Sequence, residues 1–202
     1  MKNILLFGSG RSTSSLIKYL LERTETHQFK LHIADQSITS IQEKIADNPN
    51  AFAIALDIHN DAERTKLIEK ADVVMPAFLH PIIAADCLKF SKHLVTASYI
   101  SNELKEMDAE VKAKGLIFMN ECGLDPGIDH MSAMKVLDEI REKGGNPVHF
   151  ESFCGGLVAP ESDDNIWKYK FSWNPRNVVV AGQGGAAKFL QQGTYKYIPY
   201  QR

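Results

Sequence analysis

Two rhythms of apolar residues alternate along this chain. Asn3–Gly8 is an almost continuous apolar run, the pattern of a strand covered on both faces of a parallel sheet. Ser12–Arg23 follows, with Leu16, Ile17, Leu20 and Leu21 on one helical face. The alternation then repeats. Further strands are predicted over 29–34, 51–56, 72–76, 93–97 and 116–120. Helices are predicted between them over Ile38–Ala46, Asp61–Lys70, Pro81–Phe90 and Asn102–Lys114. Strands separated in this way by helices predict an α/β fold, a doubly wound parallel sheet with right-handed crossovers and strand order 3-2-1-4-5-6.

The pattern changes after residue 120. Ile128–Lys143 reads as a long helix, with Ile128, Met131, Met134, Leu137 and Ile140 at regular spacing and Gly144-Gly145 past its end. Val148–Cys154 reads as a strand. Beyond Gly155 the chain is rich in Gly, Pro, Asn and aromatics, with strand candidates only at Val178–Ala181 and Thr194–Tyr200. Residues 1–145 are therefore expected to form one domain, and 146–202 the start of an incomplete α+β second domain.

Composition narrows the setting. The 202 residues are 44% hydrophobic with a net charge of -2, which suits a soluble protein and gives no reason to expect nucleic acid as a partner. The three cysteines, Cys87, Cys122 and Cys154, are far apart and form no CxxC pair, so neither a disulfide framework nor a zinc site is indicated. The start has no basic segment of the secretory kind, and the most apolar window, Val73–Leu88, holds Pro76, His80, Pro81 and Asp86. A cytoplasmic protein with a small-molecule substrate, no membrane contact and no metal is expected. A homodimer stays open.

The candidate chemistry begins in the first turn. Gly8-Ser9-Gly10-Arg11-Ser12-Thr13 joins the first strand to the first helix. Gly8 permits a tight turn, Gly10 lets the backbone approach a pyrophosphate, and the helix start offers amides to that anion. Thr13 stands where the third glycine of this fingerprint would be. The placement makes the domain Rossmann-type. Asp35, at the end of the second strand, suits the ribose hydroxyls of a dinucleotide and would repel a 2′-phosphate. No Arg or Lys occurs in Gln36–Ser40, so NAD is expected ahead of NADP. The competing reading makes Asp35 a cap for the helix beginning near Ser37. Asp57, after the third strand, either reaches the adenine through the amide of Ile58 or caps the next helix. Ala77 and Ser98, after strands four and five, complete the expected cofactor lining.

Four segments carry a resemblance. They are Thr96-Ala97-Ser98-Tyr99-Ile100-Ser101, the run Asn120–His130 with Gly123-Leu124-Asp125-Pro126-Gly127 at its centre, Ser152–Glu161, and Tyr169–Arg176. In these the chain resembles the saccharopine dehydrogenase family, also called saccharopine reductase. The resemblance implies an oxidoreductase of lysine metabolism that interconverts saccharopine with glutamate and aminoadipate semialdehyde through a nicotinamide cofactor. It implies Asp125, Tyr99 and Cys154 as catalytic residues. Ser98, Tyr99, Asp125, Phe171, Ser172 and Arg176 would bind substrate, Arg176 holding one of its three carboxylates. NADP-using members of the family tend to carry a basic residue after the second strand, and full members are substantially longer.

Plainer roles compete with some of these. Asp125 before Pro126-Gly127 is a natural helix cap, Cys154 suits a buried apolar position, and His130 suits helix-start packing better than proton transfer. Other functional readings are a methyltransferase with a similar glycine turn, a non-catalytic dinucleotide-sensing or dimerisation module, and a dehydrogenase of another amino-acid conjugate.

Overall fold

Lys2–Phe7 forms the first strand, β1, and Leu5, Leu6 and Phe7 are at most 3% exposed, as a strand flanked on both edges and covered on both faces requires. The computed structural model describes residues 1–155, 158–171, 175–181 and 186–199. They fall into two compact units, Met1–Cys154 and Gly155–Arg202.

In the first unit a short 3-10 turn, Arg11–Thr13, leads into α1 (Ser14–Leu21). β2 (Phe29–Asp35), α2 (Ile38–Ile45), β3 (Ala51–Ala55), α3 (Asp61–Lys70), β4 (Val73–Pro76), α4 (Pro81–Lys89) and β5 (His93–Val95) continue the alternation. The strand order is β3-β2-β1-β4-β5-β6, with β6 at Phe118–Met119 and every pair parallel. This is the expected topology. Successive side chains of a strand point to opposite faces, and the core divides accordingly. Leu6, Leu31 and Ile33 pack with Ile17, Leu20, Ile41 and Ile45 of α1 and α2. Leu5, Phe7, Val74 and Leu94 pack on the other face with Ile68 of α3 and Ile83, Ala84 and Cys87 of α4.

Helix starts follow the local chemistry. Ser37 caps α2 and Asn60 caps α3, each accepting an amide from inside the first turn, and Pro81 occupies the first turn of α4. The helix predicted over Asn102–Lys114 is divided at Met107 into α5 (Asn102–Glu106) and α6 (Asp108–Ala113). Helix α7 (Ile128–Glu142) forms as expected, but none of its residues is buried and its apolar positions Ile128, Met131 and Met134 are exposed.

Two expectations need correction, and a third holds with an addition. Val148–Cys154 is not a strand: Val148 is 94% and Phe153 90% exposed, and among the described residues no strand pairs with the segment. Alternating apolar residues make a strand only where a neighbour takes up the backbone hydrogen bonds. Val178–Ala181 lies within helix α8 (Pro175–Ala181), where Pro175 is favourable at the first helical position. Thr194–Ile198 is indeed a strand, β8, but it pairs antiparallel with β7 (Ala187–Gln191), which the pattern did not announce. Gln192 (φ 50) and Gly193 (φ 73) form the two-residue turn, both in the left-handed conformation that hairpins prefer.

Candidate functional site

The glycine turn follows directly from the end of β1. Gly8 has φ +101, and a Cβ placed on it would stand 3.0 Å from the Cβ of Ala77, which follows β4. Only glycine suits both demands. A Cβ on Gly10 would meet nothing within 4 Å, so that face of the turn is open. Gly10 precedes the 3-10 turn, and no side chain caps the start with a hydrogen bond. Amides left this way favour an anion. Arg11 and Ser12 are exposed there, while Thr13 is buried and returns its hydroxyl to the Gly10 carbonyl at 2.8 Å.

Asp35 is anchored at the end of β2. Its Oδ2 accepts the Ser9 N–H at 2.7 Å and its Oδ1 accepts the Ser37 N–H at 2.9 Å. Partial burial pushes its pKa upward, but the amides of Ser37 and Ser9 together outweigh this and hold it below the ordinary carboxylate value. The helix cap is Ser37, whose hydroxyl accepts the Ser40 N–H at 3.4 Å. Asp35 thus ties the strand end to the glycine turn. Asp57 does not cap α3 either: its carboxylate accepts the His59 N–H at 3.0 Å and shapes the turn before Asn60. Ile58 packs on the core beneath.

Two residues near the turn escaped the sequence reading. Ser40 donates its hydroxyl to the Ser9 carbonyl at 3.1 Å. Lys44 donates to that same carbonyl and, at 2.9 Å, to the carbonyl of Gly10. A search confined to Gln36–Ser40 cannot find Lys44. The signal was its spacing of four from Ser40, which puts both on one face of α2.

A second group gathers past the ends of β5 and β6. Thr96 is buried and donates to the Pro76 carbonyl at 3.0 Å, while the Ser98 hydroxyl accepts the Leu79 N–H at 3.1 Å. The Tyr99 hydroxyl donates to Asp125 Oδ1 at 2.9 Å, and chiefly this bond pushes its pKa up to about 12. Asp125 stands in a tight turn closed by the Gly123 N–H to the Pro126 carbonyl and the Ile128 N–H to the Gly123 carbonyl, each 2.9 Å. At Gly127 (φ +148) a Cβ would strike the carbonyls of Gly123 and Glu121.

The capping expectation for Asp125 fails, because Asp129 accepts the Gly127 N–H at 2.7 Å and Asp125 faces Tyr99 instead. Cys154 is exposed rather than buried, and loss of hydration first, then the neighbouring Asp125 carboxylate, raises its thiol pKa. Tyr99, Asp125 and Cys154 therefore come together. His130 is exposed beside Asp129, with Nε2 at 3.5 Å from its carboxylate.

In the second unit Phe171 packs edge-on against Tyr169 with ring centres 5.6 Å apart, and Arg176 is exposed on α8. Ser172 lies outside the described residues. Among the described residues no group of three His, Cys, Asp or Glu could hold a metal, and no helix is long and apolar enough to cross a membrane.

A parallel sheet in this strand order with this turn at its centre defines a nucleotide-binding domain of the Rossmann class. Residues 4–119 match the family model described as the saccharopine dehydrogenase NADP binding domain, and residues 123–202 match that of the saccharopine dehydrogenase C-terminal domain. The chain belongs to the saccharopine dehydrogenase family. It is 36% identical over 196 residues to saccharopine dehydrogenase [NADP(+), L-glutamate-forming] of Schizosaccharomyces pombe, covering 96% of this chain and 43% of that protein. It is 35% identical over 183 residues to the mitochondrial alpha-aminoadipic semialdehyde synthase of Mus musculus, covering 89% of this chain and 19% of that protein. The solved structure of apo histidine-tagged saccharopine dehydrogenase (L-Glu forming) from Saccharomyces cerevisiae superposes with a TM-score of 0.83 at 35% identity, covering 100% of this chain and 45% of that one. The chain thus spans less than half the length of these relatives.

Proposed function

We propose that this chain carries the dinucleotide site and part of the substrate site of an oxidoreductase interconverting saccharopine with glutamate and aminoadipate semialdehyde. The observation that carries the reading is the Tyr99–Asp125 pair, held beyond the ends of β5 and β6 in the same sheet whose centre bears the glycine turn. Ligands of doubly wound sheets bind at those strand ends. A bound nicotinamide dinucleotide supplies hydride transfer at the carbon bearing the secondary amine. The residues have to manage the amine proton and the water that adds to the resulting imine.

Among the three catalytic candidates the division of labour follows from their surroundings. Tyr99, with its pKa pushed up to about 12, stays a hydroxyl at neutral pH and serves as a donor that orients Asp125. The raised pKa of Cys154 likewise favours its thiol form. Asp125 is then the group to hold the substrate amine and take its proton. Ser98, fastened to the Leu79 amide, lines the boundary between cofactor and substrate. Phe171, Ser172 and Arg176 are proposed for the substrate's carboxylates and chain, Arg176 because a guanidinium suits a carboxylate bidentately. Free cysteines at 87, 122 and 154 support a cytoplasmic setting.

For the cofactor we propose NAD ahead of NADP. Asp35 is fastened by two amides and held ionised, so a 2′-phosphate would approach a carboxylate unable to turn away. Against it stand the match of residues 4–119 to an NADP binding domain and the relatives named for NADP(+). Titrating NADH and NADPH in parallel, with and without saccharopine, tests both parts. We expect tighter NADH binding and a change in nicotinamide fluorescence when saccharopine is added. Indifference to saccharopine in binding and turnover alike would overturn the substrate, and tighter NADPH binding would overturn the NAD preference.

A further inference from the structure

Side chains from outside the glycine turn converge on one buried residue within it. Ser9 is 1% exposed; Asp35 takes its N–H at 2.7 Å, and Ser40 and Lys44 both donate to its carbonyl. Lys44 goes further and holds the next carbonyl, that of Gly10, at 2.9 Å, where Thr13 also donates. The peptide bonds here are trans. A trans peptide points its carbonyl and the following N–H in opposite directions. An ammonium that grasps the carbonyls of Ser9 and Gly10 therefore turns the N–H groups of Gly10 and Arg11 away from itself, both to the same side. Successive N–H groups facing one way form a concavity that attracts anions. On Gly10 the face a Cβ would occupy is open, so a phosphate has room to come close. The charge on Lys44 also offsets the negative ends of the two carbonyls, which would otherwise oppose the phosphate.

We propose that Lys44 is a positioning residue of the dinucleotide site, orienting the amides of the glycine turn toward the pyrophosphate. The proposal rests on the dinucleotide reading above and adds a cation that the strand-end residues do not supply. It assigns Lys44 to the pyrophosphate, which NAD and NADP share, and not to the 2′-phosphate that distinguishes them.

The test is calorimetric titration of the unaltered chain, Lys44→Met and Lys44→Arg with NADH, NADPH, ADP-ribose and adenosine. Lys44→Met should bind NADH, NADPH and ADP-ribose about tenfold more weakly. Adenosine, which lacks a phosphate, should change less than about twofold. Lys44→Arg should recover most of the loss, which a merely structural role would not require. Unchanged ADP-ribose affinity in Lys44→Met, an equal loss for adenosine, or a loss confined to NADPH would each overturn the proposal while leaving the dinucleotide reading standing. Failure of the unaltered chain to bind any of the dinucleotides would overturn both together.

Discussion

Asp35 meets two requirements with one carboxylate. It accepts the amides of Ser9 and Ser37, and under the proposed dinucleotide reading it also meets the ribose hydroxyls. Asp35→Asn keeps the shape, loses the charge and turns one amide-accepting oxygen into a donor. If the proposed preference for NADH over NADPH rests on this charge, it should narrow by about tenfold, checked by paired titrations. The same variant has a signature in pH. The folded pKa of Asp35 is depressed, so its contribution is present above the unfolded carboxylate value and is lost as pH falls through the folded one. Melts from about pH 7 to about pH 3 should show the stability gap between the unaltered chain and Asp35→Asn closing toward acid. A gap constant across that range would mean the charge is not what stabilises the turn. Asp35 was legible in the sequence because a strand end and its next residues are neighbours in the chain. Lys44 was not, because it returns to the turn through nearly two turns of helix.

Between elements, α3 and α4 are joined by an ion pair that the pattern of apolar residues hides. Arg64 is 4% exposed, with Nε at 2.7 Å from Asp86 Oδ2 of α4, a further guanidinium nitrogen at 2.8 Å from Asp61, and the Ile58 carbonyl as another partner. Asp86→Ala leaves a buried guanidinium with only an exposed carboxylate and a carbonyl, and such a loss costs about 3–5 kcal/mol. Arg64→Met should cost less, since the methionine keeps the packing and Asp86, the more exposed partner, can hydrate. Urea unfolding of the two variants checks the order; equal losses would show packing, not pairing, to be what matters. Arg64 reads as a solvated residue in a charged helix, so periodicity alone cannot place it in the core. Val178–Ala181 erred in a similar way, because a short apolar run is compatible with helix or strand until its neighbours are known. The six parallel strands escaped such ambiguity because each is flanked by a helix of opposite rhythm.

At the scale of the whole chain, burial and chemistry are distributed differently. Every residue of both hydrophobic clusters, and every partly buried residue packed on them, lies between Ile4 and Phe118. The second unit instead presents Ile166 at 90% and Trp167 at 80% exposure, and the buried core includes none of its described residues. The clusters therefore dominate cooperative unfolding, and the residues proposed for the dinucleotide, from Gly8 to Ser98, lie within the same stretch. A chain ending at Cys154 should then melt within about 3 °C of the 202-residue chain, a shift of the size that about 1 kcal/mol produces. Its NADH affinity should agree within about twofold. It should also aggregate less, since large exposed apolar side chains are the surfaces that associate. What it should lose is the response of bound NADH to saccharopine, because Phe171, Ser172 and Arg176 are gone while Tyr99 and Asp125 remain. Scanning calorimetry and the paired titration on both chains separate these outcomes. A fall in melting temperature much larger than this would show that the second unit supports the sheet. An undiminished saccharopine response would move the carboxylate contacts from Arg176 to residues of the first unit.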